Sequence, residues 1–514
     1  MPSKPTDRPV IVPLDVVEYG ARRGLIVAGV MLAALLQTLD ATIVNVALPT
    51  IEGNIGASID DGTWIITAYI IANVVAIPLA PFFLQRFGRR NYFAACVIGF
   101  TVASFFCGTA SSLGALVFYR VVQGAFGGGL IATSQIILRD TFPADKIGAS
   151  SALFAIALTF GPALGPTVGG LLTDAYSWQW VFDINLVPGT LAAIVILGML
   201  RNPVPPRRIP FDGLGVALLI VALGSMQFVL DEGERNDWFD DTRIVTAAVA
   251  FALGLALFIL WELRGAKDPI VDLRIFRYRN VRFGSLTAVV LGMVIFGPTV
   301  MLPQYVQGVL GFTATLSGLL ILMRALPVLV LTPFVARLAS RLDFRIILAT
   351  GFLLSAASFV ALALHMTTLS DFWTFPALLA ISGVGQSLLL VPLLVGILPS
   401  VALADAPKAS SFISLSVQLG GSIASTMLVT IFDRRSYFHS DVLRGAVTLA
   451  HKATLENAHI GLRQLVRVLA QQSANAGFAD SILALAPLAC LGVLIAILLK
   501  RTKTTTPVVV LAAE

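Results

Sequence analysis

Fourteen runs of about twenty predominantly apolar residues punctuate this 514-residue chain, and no other feature constrains its fold as tightly. A helix crossing the hydrocarbon core of a bilayer needs about twenty such residues. In lipid, only helices or closed barrels satisfy every backbone polar group internally. The first six runs lie near 25–47, 64–83, 92–110, 114–136, 149–171 and 182–200. Two more lie near 212–230 and 243–262, and the last six near 283–304, 316–336, 346–366, 373–398, 410–431 and 480–500. Hydrophobic residues make up 57% and charged residues 12%, with a mean hydropathy of +0.88. A soluble enzyme, a secreted scaffold and a disordered chain are excluded by those proportions. The expected class is an all-α polytopic membrane protein with 14 transmembrane helices. Cys96, Cys107 and Cys490 each sit inside an apolar run, which leaves no disulfide framework and no metal cluster to expect. The first run is too long for a signal-peptide core, so no cleavage is expected.

Short loops carry the orientation. Lys4, Arg8, Arg22 and Arg23 precede the first run, and Arg86, Arg89 and Arg90 follow the second. Arg139 with Lys146, then Arg201, Arg207 and Arg208, then Arg264 to Arg282 fall on the same side. So do Arg337, Arg341 and Arg345, then Lys408, and finally Lys500, Arg501 and Lys503. The other side carries Glu52, Asp60, Asp61 and the acidic stretch Asp231–Asp241, with Arg235 and Arg243 as exceptions. The alternation predicts cytoplasmic N- and C-termini. The net charge of +6 is spread over these clusters rather than gathered into one basic patch, so no nucleic-acid partner is expected.

The first six and last six runs echo each other. Arg86-Phe87-Gly88-Arg89-Arg90 after the second answers Arg337, Arg341 and Arg345 after the tenth. Gln123-Gly124 in the fourth answers Gly385-Gln386 in the twelfth, and Gly169-Gly170 in the fifth answers Gly420-Gly421 in the thirteenth. Runs seven and eight match neither half. A 6 + 2 + 6 plan suits a secondary transporter with its site between paired bundles. The expected divisions are a tail at 1–23, an N-terminal bundle at 24–200, a linker with two extra helices at 201–282, a C-terminal bundle at 283–500 and a tail at 501–514. Residues 433–479 form a long periplasmic segment inside the C-terminal bundle.

Only Asp40, Arg120 and Arg324 lie well inside runs. An ionisable group there is expensive and marks a functional site unless it is merely paired. At 1.5 Å per residue all three lie roughly 10–13 Å below the outer end of their helices. A carboxyl that moves between an apolar setting and a guanidinium changes its hold on a proton. Asp40 and Arg120 are therefore candidates for proton coupling, the alternative being a permanent ion pair that fastens two helices. Gln37, Thr42 and Asn45 accompany Asp40 along the first run, and Gln123 lies one turn after Arg120. These amides either line a cavity or bond helix to helix. Arg324 is either structural or substrate-facing. In the fifth run, Gly161, Gly165 and Gly169 share one helix face, in register with Pro162 and Pro166 and followed by Gly170. Glycines at that spacing admit a close neighbour, and the prolines bend the helix into a pivot.

These residues resemble the major facilitator superfamily, and within it the fourteen-span drug:proton antiporters of the EmrB/QacA group, closest to the EmrB-like branch. Leu39-Asp40-Ala41-Thr42-Ile43-Val44-Asn45 resembles the first-span signature, and Arg120-Val-Val-Gln123-Gly124 the fourth-span motif. The Gly161–Gly170 run matches the antiporter motif, and Trp178-Gln179-Trp180 through Asn185 the group's Trp-Arg-Trp block. Leu230-Asp231-Glu232-Gly233 and Gln418-Leu419-Gly420-Gly421 extend the likeness. The resemblance implies a major facilitator fold of two six-helix bundles plus two extra helices. It implies proton-coupled efflux across the bacterial inner membrane, with the proton as coupling ion and no cofactor. Asp40 and Arg120 would couple the proton; Gln37, Asn45, Gln123, Arg324 and Gln418 would line the substrate cavity. Arg86, Gly88, Arg89 and Arg90 would form a cytoplasmic gate. The gating loop departs from the pattern, with Gln85 where an Asp is usual and Pro81 where a Gly is; Gln179 and Val417 stand where relatives carry Arg. Two arginines and one acid favour small lipophilic or weakly acidic drugs over dications.

The resemblance also implies a periplasmic membrane-fusion adaptor and an outer-membrane channel as partners. Within the long segment, residues 442–475 read as helix, with Leu455, Leu462, Leu465 and Leu469 on one face. That helix suits a docking surface for the adaptor, a lid over the outer mouth, or an amphipathic helix lying on the bilayer. A dedicated exporter of one metabolite, lipid or siderophore fits the same motifs. An enzyme or receptor fits poorly: no paired carboxylates, nucleophile motif or phosphate loop is present, and no soluble signalling domain is long enough.

Overall fold

The computed structural model describes residues 17–143, 146–202, 210–266, 269–402, 405–446 and 462–501. Lys4, Arg8, Arg207, Arg208, Lys503 and Leu455 lie outside them. Fourteen helices are long and apolar enough to cross a membrane. The first six are α1 (Gly20–Ile55), α2 (Trp64–Phe87), α3 (Arg89–Gly108), α4 (Leu113–Thr141), α5 (Ile147–Ala175) and α6 (Trp180–Met199). An inserted pair follows, α7 (Gly213–Glu232) and α8 (Thr242–Leu260). The last six are α9 (Arg279–Gly308), α10 (Ala314–Arg341), α11 (Phe344–His365), α12 (Phe372–Ser400), α13 (Ala406–Ala446) and α14 (Leu462–Ile497). Within α12 the helix breaks at Leu388–Leu389, where Pro392 supplies no N–H to the Leu388 carbonyl.

The two sets of six pack alike. α1 lies on α5 and α6, α2 on α4, and α3 on α4 and α6; eight helices later, α9 lies on α13 and α14, α10 on α12, and α11 on α12 and α14. Small residues permit the closest of these approaches. A methyl group on Gly161 or Gly165 of α5 would strike the hydroxyls of Thr38 and Thr42 in α1. In the other bundle, one on Gly420 of α13 would strike the Val289 carbonyl of α9. The glycine face expected in the fifth helix is thus occupied by α1, and Thr38 also donates to the Ala157 carbonyl at 3.1 Å.

The bundles meet along two seams related by the same eight-helix shift, α5 against α10 and α13 against α2. Ser411 donates to the Ile77 carbonyl at 2.7 Å, Ser410 to Gln135 at 2.5 Å, and Gln386 to Thr159 at 3.2 Å. The inserted pair packs on itself, with α7 leaning on α2 and touching α13. On the face where α1 begins, Lys408 bridges Asp272 at 2.8 Å and Asp405 at 3.1 Å, tying the linker to α13. Burial works against the Asp272 carboxylate, yet Lys408 and the Arg274 N–H hold it below the usual carboxylate range.

Of the helix expected over 442–475, residues 442–446 and 462–475 are helical, as parts of α13 and α14. α13 runs for 41 residues and α14 for 36, so each extends well past a hydrocarbon core of about 30 Å. The two extensions pack as a hairpin: Arg435 and His439 bind Asp480 at 2.5 and 2.8 Å, and Phe432 and Phe478 meet at 4.1 Å. Residues 447–461 between them lie outside the described part.

Candidate functional site

Asp40 is fully enclosed. Its Oδ2 accepts from Arg120 Nη1 of α4 at 2.7 Å. Its Oδ1 accepts from Gln123 Nε2 at 2.9 Å and from Asn185 Nδ2 of α6 at 2.9 Å. Asn185 also donates to Ser104 Oγ of α3 at 3.0 Å, and Ser104 donates to the Phe182 carbonyl at 2.8 Å. Arg120 is 1% exposed. It donates from Nε to the Ile65 carbonyl at 3.0 Å and from Nη1 to Gln123 Oε1 at 2.7 Å. Its guanidinium lies 4.0 Å from the Tyr69 ring centroid, on α2. Tyr69 in turn donates to the Gln37 carbonyl at 3.4 Å.

This is a buried ion pair in which both carboxylate oxygens accept hydrogen bonds. Desolvating two charges is repaid only by such geometry, and removing one partner costs about 3–5 kcal/mol. Neutralising Asp40 by a proton would leave Arg120 with the Ile65 carbonyl, the Gln123 oxygen and the Tyr69 face.

The structure brings Asp40, Arg120 and Gln123 together. Asn45 is exposed and stands apart from the cluster. Arg324 joins neither, although it lies at a comparable depth. It donates to the Val294 carbonyl at 2.7 Å, the Ile295 carbonyl at 3.0 Å, Thr299 at 3.2 Å and Ser382 at 3.2 Å. Pro298 brings no N–H to the Val294 carbonyl, and Arg324 fills that vacancy. A void of about 10 Å³ touches Arg324, Gln386, Thr159 and Pro162, and a second of about 20 Å³ touches Gln135, Ser414 and Gln418. Both lie between the bundles. A larger apolar cavity of about 950 Å³ flanks α2, α3 and α4 beside Ile220 of α7, away from the ion pair.

The expected gate residues bind their own bundle. Arg89 donates to the Arg201 carbonyl at 2.7 Å and meets Asp140 at 3.5 Å. Arg90 donates to the Leu197 carbonyl at 3.1 Å, and Arg86 lies over the Phe87 ring at 5.9 Å. Gly88 takes φ +80° and packs against Asn202. Asn185, Ser104, Tyr69 and Asp140 were not among the expected site residues; Asn185 was visible only as the last residue of the Trp block.

Two six-helix bundles related by an internal repeat, holding a buried ion pair, define a membrane transporter rather than an enzyme. The chain belongs to the major facilitator superfamily: the Major Facilitator Superfamily profile matches residues 30–425. It is 34% identical to the multidrug export protein EmrB of Escherichia coli K12 over 465 residues, 89% of this chain and 91% of that one. It is 32% identical to the fatty acid resistance protein FarB of Neisseria gonorrhoeae over 453 residues, 87% of each. The human organic anion transporter MFSD10 shares the fold, with a TM-score of 0.59 at 13% identity over 92% of this chain and 99% of that one. The proton:xylose symporter XylE does likewise, with a TM-score of 0.56 at 13% identity over 91% and 95%. The likeness to EmrB proteins places the chain in the EmrB-like branch, as a multi-pass inner-membrane protein.

Proposed function

We propose that this transporter exports lipophilic small molecules in exchange for protons by alternating access, with Asp40 as the proton-binding group. The observation that carries the reading is the Asp40–Arg120–Gln123–Asn185 cluster. With the bundles in the arrangement described, Asp40 is sealed beside Arg120. Rocking of the bundles that admits a proton to the carboxyl releases the guanidinium to its other acceptors. Moving one charge through the membrane potential supplies about 2.3 kcal/mol per 100 mV. Relatives named for multidrug export and fatty acid resistance support a lipophilic cargo. Gln135, Gln418, Gln386 and Arg324 at the inter-bundle voids are the polar groups such a cargo would meet. The basic clusters on the face where α1 begins support cytoplasmic termini. The α13–α14 hairpin on the opposite face is then the surface that a periplasmic adaptor would dock on, with an outer-membrane channel beyond it.

The test is transport in proteoliposomes under an imposed pH gradient, comparing the wild type with Asp40→Asn. Gradient-driven uptake of a lipophilic dye should be lost, while dye binding persists. An unchanged uptake rate would refute the coupling role.

A further inference from the structure

The inserted helix α7 ends where the two bundles face each other, and it is bonded to both. Toward the N-terminal bundle, Phe228 stacks on Trp64 at 5.7 Å, and Thr63 lies 3.4 Å from Glu232 and accepts from Arg235 at 2.8 Å. Gln227, fully buried, donates to Asp231 at 2.8 Å. Toward the C-terminal bundle there is a different contact: Thr426 of α13 donates to the Leu230 carbonyl at 2.6 Å. That carbonyl lies in the last turn of α7, where backbone acceptors have no partner of their own within the helix. The Thr426 hydroxyl has a second acceptor, the Ser422 carbonyl of its own helix, at 3.1 Å. When the bundles part, the hydroxyl keeps that internal bond and the Leu230 carbonyl turns to water.

We infer that the end of α7 is a clasp: it rides on α2 and, through Leu230 and Thr426, holds the bundles closed on the face opposite the N-terminus. This gives the inserted pair a task that two six-helix bundles alone would lack. The inference rests on the rocking motion of the proposed function. A bond whose donor has a fallback acceptor is suited to repeated opening, because release leaves one solvated carbonyl instead of two orphaned groups.

The experiment uses spin labels on Asn54→Cys at the end of α1 and Leu369→Cys in the α11–α12 loop, both exposed and both on the clasped face, with Cys490→Ser. Pulsed dipolar spectroscopy on the full chain in nanodiscs reads the distance between them. In Thr426→Val the population of the longer, open distance should rise about five-fold, the effect of losing one ordinary hydrogen bond. Thr426→Ser, which keeps the hydroxyl, should restore the parent distribution. If the parent shifts with pH or dye while Thr426→Val matches it throughout, the clasp is wrong and rocking stands. If the parent itself never shifts, the rocking reading falls instead. A fall in melting temperature with an unmoved distribution would assign Thr426 a purely structural part.

Discussion

Asp40 keeps its position through three donors from two helices, and the donors are not equivalent. Arg120 brings a charge; Gln123 is spaced one helical turn from it; Asn185 comes from α6 and is itself oriented by Ser104. Replacing Asn185 by Leu leaves Asp40 Oδ1 with Gln123 alone and strips Ser104 of its donor. The expected loss is about 1–3 kcal/mol, the penalty of under-satisfied buried polar groups. Thermal unfolding in detergent would register it, and coupled transport should fall with it. Ser104→Ala should cost less, because Asn185 still reaches Asp40. If Asn185→Leu melts with the parent, Asn185 does not position the carboxylate. The sequence held part of this cluster in plain view. Rise per residue put Asp40 and Arg120 at one depth, and a one-turn spacing put Gln123 beside them. Asn185 was less legible because it stands at the polar entrance of an apolar run, where burial and exposure look alike. Asn45, five residues from Asp40, is turned about 140° away by the helical repeat, which is why the expected polar stripe broke. Depth also said nothing about which bundle would enclose Arg324.

Among the helices, α1 and α5 carry the pairing that the sequence expressed most clearly. Glycines four residues apart left one face of α5 bare, and α1 fills it with Thr38, Thr42 and Ile43. The chain direction and the identity of the neighbour were invisible, since a glycine face specifies closeness and not a partner. Gly165→Ala tests the fit. The added methyl meets the Thr42 hydroxyl, a short β-branched side chain with little room to turn. Overpacking of this kind destabilises by about 1–3 kcal/mol. The melting temperature and the export rate should both drop, and Thr42→Ala in the same chain should recover most of the loss. Parent-like melting of Gly165→Ala would mean that α1 and α5 are looser than this geometry requires. The extensions of α13 and α14 were read as helix only from 442 to 475, and not as continuations of the two spans, for a different reason. Their charged residues end the apolar run, and hydropathy marks where lipid stops, not where a helix does.

Across the whole molecule, alternating access demands that seams closed together here open in turn. Along α5 and α10 the bundles touch at both ends: Gly148 faces Ala336 near the N-terminal face, and Gly318 faces Thr167 near the other. A Cβ placed on Gly148 lies 3.2 Å from the Ala336 Cβ, close to the separation that a disulfide spans. Gly148→Cys with Ala336→Cys should therefore cross-link on oxidation and hold the N-terminal face shut. Gradient-driven uptake in proteoliposomes should stop when the bond forms, as verified by peptide mass, and return on reduction. Dye binding from the opposite face should survive, since the other end of the seam remains free. Rigid halves turning about the α5–α10 contact cannot carry cargo past a locked end, whatever the state of Asp40. Full transport by the oxidised protein would mean that cargo crosses without this seam parting, and the symmetry between the two bundles would then serve stability alone.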